Sequence, residues 1–268
     1  MDKESLPLNL PEELREILKE FSFEVNNIGC SRAKVFKLFN DEKTLYLKIN
    51  KSLSIFDLEK EKIILEWVSQ KLEVPEVIYF GKENDIAFLL ISEIEGKVSY
   101  LTESDKEKRK NVKILAEGLK KIHSTPTATC PINNTPDKLL QLAKERIEKG
   151  DIDATQFDKR WSDKSPEELF EEVVKIKPSE YDPVFSHGDY CLPNILVEEN
   201  VLSGFVDWSW GGINDRYFDF AAVFWSIGYN YGEEWIEYFI EDYGIENIDW
   251  DKIKFFQMLN EFFQHELE

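Results

Sequence analysis

The sequence predicts an α+β protein in two lobes: a small N-terminal lobe built on an antiparallel sheet with one main helix, and a larger, mostly helical C-terminal lobe. Three observations carry that expectation. Short β-type segments crowd residues 1–95, helical periodicity dominates the remainder, and one interruption at 181–206 brings brief strands back around a loop rich in Gly, Asp, Pro and Asn. A chain of 268 residues with 42% hydrophobic residues, including seven Trp and nineteen Phe, can fill one large core or two smaller ones.

The elements follow in order. Pro11 at a first-turn position, Glu12 and Glu13 beside it, and apolar Leu14, Ile17 and Leu18 predict a leading helix from Leu10 to Phe21. Strands are expected at Phe21–Asn26, Ala33–Phe39 and Thr44–Ile49, the last two joined by the turn-forming Asn40-Asp41-Glu42-Lys43. Ile55–Leu72 has helical spacing, Pro75 closes it, and strands return at Val77–Phe80 and Ile86–Ile91. These set the first lobe at residues 1–95, with Ser92–Lys97 as a connector containing Gly96. The second lobe, 96–268, carries helical patterns at Ser104–His123, Pro136–Lys149 and Pro166–Lys175. Brief strands at Pro183–Phe185, Ile195–Val197 and Leu202–Val206 precede three closing helices, Tyr217–Tyr229, Glu233–Tyr243 and Trp250–Glu266.

Charge narrows the partners. With 53 acidic and 33 basic residues, net −20 and a pI near 4.7, the chain repels nucleic acid and anionic membranes at long range. The excess is concentrated: residues 178–268 hold 19 acidic and only 3 basic residues. Such a segment draws in metal ions or an amine-bearing substrate; a merely solubilising surface is the alternative that composition alone favours. The N-terminus lacks the apolar core of a secretion signal, and no apolar run approaches the roughly 18 residues of a membrane span. Three scattered cysteines, Cys30, Cys130 and Cys191, make neither a disulfide framework nor a zinc site. A soluble cytoplasmic protein is expected.

The loop inside the β interruption reads His187-Gly188-Asp189-Tyr190-Cys191-Leu192-Pro193-Asn194, and Asp207 follows Gly204-Phe205-Val206. Asp189 and Asn194 stand at the D-x-x-x-x-N spacing of kinases, in which the Asp receives the attacking hydroxyl's proton and the Asn holds Mg²⁺. Asp207, returning to the same cleft on a paired strand, would supply the charged oxygen ligand that Mg²⁺ favours. Singly, each is a common turn or cap residue; together, in register with strands on both sides, they point to phosphoryl transfer. Such a site needs a cation on the nucleotide phosphates and an anion to position it. Lys48 in its strand and Glu61 on the following helix meet that need, with Glu59 as an alternative anion. The turn Asn27-Ile28-Gly29-Cys30-Ser31 sits where a phosphate-covering loop belongs, its backbone N–H groups and the Ser31 hydroxyl within reach of a phosphate.

These residues resemble the aminoglycoside 3'-phosphotransferases, members of the protein-kinase-like superfamily. The resemblance covers essentially the whole chain, from Ala33–Leu38 and Leu45–Lys48 through Leu89–Glu93, Ile122-His123-Ser124, Val184–Asp189 and Cys191–Ile195 to Ser203–Asp207 and Asp215–Asp219. It implies a protein-kinase-like two-lobe fold, ATP or GTP as phosphate donor, and Mg²⁺ held by Asn194 and Asp207. Asp189 becomes the catalytic base, Lys48 paired with Glu61 holds the phosphates, Tyr46 stacks on the base, and the Ser92–Ile94 hinge bonds it through its backbone. His187 and Asp219 become supports of the catalytic loop, and His123 a core residue.

The acceptor side departs from the family. Ser209 and Trp210 replace a usual Gly-Arg, Asp158 is followed by Lys159 and Arg160, and Gln264–Glu268 extend past the position where the family's terminal carboxylate sits. Glu261 remains the first candidate for an amine contact and Asp158 the second. The resemblance implies a cationic small-molecule partner, an aminoglycoside phosphorylated on its 3'-hydroxyl to give resistance, and a monomer or weak dimer. The alternatives are a kinase of another cationic small molecule, an amino sugar or choline-like compound, and a non-catalytic kinase-like binding module. The last predicts loss of Lys48, Asp189, Asn194 or Asp207, and all four are present.

Overall fold

The computed structural model describes residues 10–25, 34–52, 54–102 and 104–263. Helix α1 (Glu12–Ile17) leads into strands β1 (Ser22–Val25), β2 (Lys34–Phe39) and β3 (Thr44–Lys51). Helix α2 (Leu58–Val68) follows, then β4 (Val77–Glu83) and β5 (Ile86–Ser92). All five strands form one antiparallel sheet in the order β1-β2-β3-β5-β4.

Strand periodicity explains how this sheet serves two cores. Successive side chains point to opposite faces, so Leu45, Leu47 and Ile49 of β3 join Phe88 and Leu90 of β5 against Leu10, Leu14 and Leu18 around α1. Ala87, Leu89 and Ile91 point the other way, onto Leu58, Ile64, Leu65 and Val68 of α2. Strand β5 is apolar from Ile86 to Ile91, and buried from Ala87 on, because both of its faces are covered there. The same alternation turns Lys48 toward α2.

Past the connector come β6 (Lys97–Val98), α3 (Asp105–His123), α4 (Pro136–Lys149) and α5 (Pro166–Lys175). Then follow β7 (Pro183–Ser186), β8 (Ile195–Glu198), β9 (Val201–Phe205), β10 (Gly212–Asp215), α6 (Arg216–Asn230), α7 (Trp235–Tyr243) and α8 (Trp250–Asn260). Strands β6, β8 and β9 make one small antiparallel sheet and β7 with β10 another. The core beneath α2 runs without a break into the helical part, where Trp208, Phe205, Phe220, Phe256 and Leu119 are fully buried.

Several boundaries differ from the sequence expectation. Helix α1 stops at Ile17 rather than Phe21, because the chain turns, with the Phe21 N–H donating to the Leu18 carbonyl, to place Phe21 against the sheet core. Helix α2 starts at Leu58 rather than Ile55: the Asp57 carboxylate caps it by accepting the Glu59 N–H at 2.9 Å. Strands β6 and β10 were not expected; each is short and held by a partner far away in sequence, β8 and β7 respectively. Helix α8 ends at Asn260, and the expected continuation over Gln264–Glu266 lies outside the described residues.

Ile64, fully buried between the sheet and the helical core, carries a direct test. Ile64→Ala should cost about 2–5 kcal/mol in urea denaturation, whereas truncation of Ile78, which is 38% exposed, should change stability by no more than ~0.5 kcal/mol.

Candidate active site

Lys48 lies on β3 with its ammonium group turned toward α2, and it is 7% exposed. Its Nζ donates to Glu61 Oε1 at 2.7 Å and also to Asp207 Oδ1. Glu61 in turn accepts the Trp208 N–H at 3.3 Å. Glu59, the alternative anion, instead pairs with Lys82 at 2.5 Å on the surface. Burial works against the Lys48 ammonium, but Asp207 and Glu61 outweigh it and hold its pKa well above the usual lysine range. Burial would likewise raise the Asp207 carboxyl, yet Lys48 brings it below the ordinary value, so Asp207 is an anion.

Asp207 adopts φ +64°, left-handed backbone that a non-glycine residue seldom takes. That twist lets its half-exposed carboxylate face Lys48 while the next residue, Trp208, drops fully into the core. There the indole stacks on Phe185 at 5.6 Å and packs 4.3 Å from the His187 ring. The surrounding packing thus holds a conformation that is locally unfavourable.

The loop from His187 to Asn194 is braced from below. Asp219 on α6, fully buried, accepts the His187 N–H at 3.0 Å, the Gly188 N–H at 2.8 Å and His123 Nε2 at 2.9 Å. A carboxylate only accepts, so His123 Nε2 carries a proton, and Nδ1 lies 2.8 Å from the Tyr243 hydroxyl. Tyr243 accepts in turn from Arg216 Nη1 at 2.8 Å. Burial would raise the Asp219 carboxyl, and these donors, His123 foremost, bring it below the usual range. His187 Nε2 donates to the Val206 carbonyl at 3.0 Å while Nδ1 accepts the Asp189 N–H at 3.3 Å, so its ring is a neutral structural brace. Burial lowers its pKa accordingly. Gly188 has φ +85°, and a Cβ there would stand 2.3 Å from the Trp210 carbonyl oxygen, so no other residue fits.

Asp189 is oriented through both oxygens. Oδ2 accepts Asn194 Nδ2 at 2.9 Å and Oδ1 accepts the Cys191 thiol at 3.1 Å. Burial pushes the Asp189 carboxyl up, against those two donors. Because Asn194 Nδ2 also donates to the Asp189 carbonyl at 2.9 Å, its Oδ1 is the atom left to serve as a ligand. The Val206 N–H donates to the Asn194 carbonyl at 3.0 Å, placing Asp207 one residue from that contact. Among the described residues no group of three or more His, Cys, Asp or Glu gathers around a metal position. An amide oxygen and a carboxylate fit Mg²⁺, which takes few protein ligands and completes its shell with water and phosphate oxygens.

At the expected hinge, the Ser92 N–H donates to the Glu76 carbonyl and its hydroxyl accepts the Glu76 N–H, each at 2.9 Å. The Ile94 side chain packs close to Gly204 of β9. Tyr46, half-buried, donates weakly to Glu93 at 3.4 Å. Ser31 lies outside the described residues.

Glu261, the first candidate for an amine contact, is 6% exposed and its Oε2 accepts the Asp158 N–H at 2.8 Å. Burial pushes its carboxyl up to about 7. The Asp158 carboxylate is engaged within the chain: Arg160 Nε reaches Oδ1 at 2.9 Å and Nη2 reaches Oδ2 at 3.2 Å. The Trp210 ring lies 6.2 Å from that of Phe56 and 5.1 Å from that of Phe263. Sequence reasoning gave no role to Cys191, Arg216 or Tyr243. Tyr243 is 120 residues from His123, so no local spacing could have shown the pair.

The sequence profile of the phosphotransferase enzyme family matches residues 22–256. An aminoglycoside 3'-phosphotransferase of Niallia circulans is 34% identical over 257 residues, covering 95% of this chain and 98% of its own. One from Enterococcus faecalis is 32% identical over 263 residues, covering 96% and 99%. Among solved structures, an aminoglycoside 3'-phosphotransferase of type VIII superposes with a TM-score of 0.84 at 24% identity, covering 94% of this chain and 97% of that one. An aminoglycoside phosphotransferase of Streptomyces rimosus in complex with ADP and streptomycin gives 0.79 at 22% identity, covering 93% and 95%. The two lobes are thus those of the protein-kinase-like fold, and the chain belongs to the phosphotransferase enzyme family.

Proposed function

We propose that the protein transfers the γ-phosphate of ATP or GTP to the 3'-hydroxyl of an aminoglycoside, with Mg²⁺, and so confers resistance. The observation that carries the reading is the convergence of Lys48, Glu61 and Asp207 beside the loop that holds Asp189 and Asn194. The names of the relatives, similar over nearly their full lengths, support the acceptor.

In this reading residues 1–95 hold the nucleotide and 96–268 the acceptor. The base lies against Tyr46, bonded to the Ser92 carbonyl and the Ile94 amide, since the Ser92 N–H is already taken by Glu76. Lys48, kept in place by Glu61, turns its ammonium to the phosphate oxygens. Asn194 Oδ1 and Asp207 hold Mg²⁺, which when bound neutralises charge on the transferring group. Asp189, raised by burial yet fixed through Asn194 and Cys191, orients the acceptor hydroxyl and takes its proton. Glu261 receives an acceptor amine, and the −16 balance of residues 178–268 raises the local concentration of polycations. The scarcity of cysteine suits a cytoplasmic setting, and a monomer or weak dimer suffices, since every proposed role is filled by one chain.

Turnover with kanamycin and neomycin tests this. Asp189→Ala should lower kcat by about 10²–10⁴-fold while the nucleotide KM stays within about threefold, because a base acts mainly in the transition state. Wild-type protein that shows no drug-stimulated transfer would sink the proposal. A second expectation concerns pH. The Glu261 carboxyl at about 7 is largely neutral below that pH and anionic above it. Acceptor KM should therefore fall as pH rises from about 6 to about 8, and Glu261→Gln should remove that dependence.

A further inference from the structure

We propose that Arg160 sets acceptor specificity by occupying the Asp158 carboxylate as an internal cation, so that the adjoining subsite takes a hydroxyl-bearing ring in preference to an amine-bearing one. The inference rests on the phosphotransferase reading above and concerns a different residue of the same site.

Two chains of contacts connect Asp158 to the loop from His187 to Asn194. On one side its backbone N–H is bound by Glu261, two residues before Phe263. Phe263 packs on Trp210, and the Trp210 carbonyl presses against Gly188. On the other, Trp225 lies near enough to the Asp158 carboxylate to help lower its pKa, after the larger effect of Arg160, and the next residue, Ser226, accepts the Leu192 N–H at 3.0 Å. A cation-binding carboxylate in that position would meet an acceptor whose hydroxyl reaches Asp189.

Arg160 already fills it. Its guanidinium makes a two-point bond to Asp158 and a third, from Nη1, to Gln257 Oε1 at 2.8 Å. Its plane lies 4.3 Å from the centre of the buried Trp161 ring, and its backbone N–H donates to Asp158 Oδ1 at 2.9 Å. Two-point guanidinium contacts with packing on an aromatic face lose less freedom than a flexible ammonium would. Arg160 also holds the Asp158 carboxyl below the usual range, so the partner is a full anion already neutralised. An incoming amine must displace this arrangement; a hydroxyl need not. Beside it Trp225 and Tyr229 stack at 5.4 Å with 44% and 78% exposure, offering ring faces rather than a second carboxylate. Aromatic faces of this kind suit the carbon face of a sugar ring. Glu261 then remains as the amine contact of this pair.

Neomycin and paromomycin differ by one amine replaced by a hydroxyl, and both can be assayed against wild type, Arg160→Ala, Arg160→Lys and Arg160→Ala with Asp158→Asn. The wild type should favour paromomycin. Arg160→Ala should raise the neomycin to paromomycin ratio of kcat/KM about tenfold, mainly through the neomycin KM. Asp158→Asn in that background should return the ratio to within about twofold of wild type, and Arg160→Lys should fall between. An equal loss on both acceptors in Arg160→Ala, or no change in the ratio, means that Arg160 only shapes the loop and overturns the inference while leaving the proposed function standing. No transfer to either acceptor by wild type overturns both.

Discussion

The Lys48 ammonium joins two carboxylates that the chain delivers from opposite directions: Glu61 from α2 and Asp207, 159 residues away, from the end of β9. A buried cation is costly unless it is paired, and breaking such a pair leaves an uncompensated charge. The sheet therefore has to turn Lys48 inward, α2 has to present Glu61 at the matching height, and the backbone at Asp207 has to take its left-handed turn. That turn in turn sends Trp208 into the core against Phe185 and His187. The ion cluster links the sheet to the catalytic loop by chemistry as well as by packing.

Asp219 repeats the logic one layer deeper. It takes no direct part in the cleft, yet it fixes the backbone of His187 and Gly188 and, through His123, Tyr243 and Arg216, ties α3, α6 and α7 to one point. Asp189 thereby inherits its position from a fully buried brace. Both of its oxygens are then occupied by donors, so its orientation is set by the fold.

Much of this was legible in the sequence where geometry follows from local spacing. Strand alternation puts Lys48 on the face that α2 covers, and D-x-x-x-x-N spacing brings Asn194 back onto Asp189. What stayed hidden depends on partners distant along the chain. Strand β10 has little β character of its own and exists because β7 lies beside it. Arg216 and Tyr243 look like ordinary helix residues until the fold stacks them over His123. The choice of Glu61 over Glu59 was open because both stand in the first turn of α2; they face nearly opposite ways, and Lys82 on β4 pairs with Glu59. On the acceptor side, Asp158 read as a candidate contact, and only the folded loop shows Arg160 turned back onto it two residues later.

In the proposed function the Lys48 cation, shared between Glu61 and Asp207, organises the phosphate end of the site. Phosphotransfer kinetics of Lys48→Met, with Lys48→Met combined with Glu61→Gln to relieve the orphaned buried charge, test it most directly. Both variants should remain folded by circular dichroism, and both should lose at least about 10²-fold in kcat/KM for nucleotide. Wild-type kinetics in either folded variant would contradict the claim.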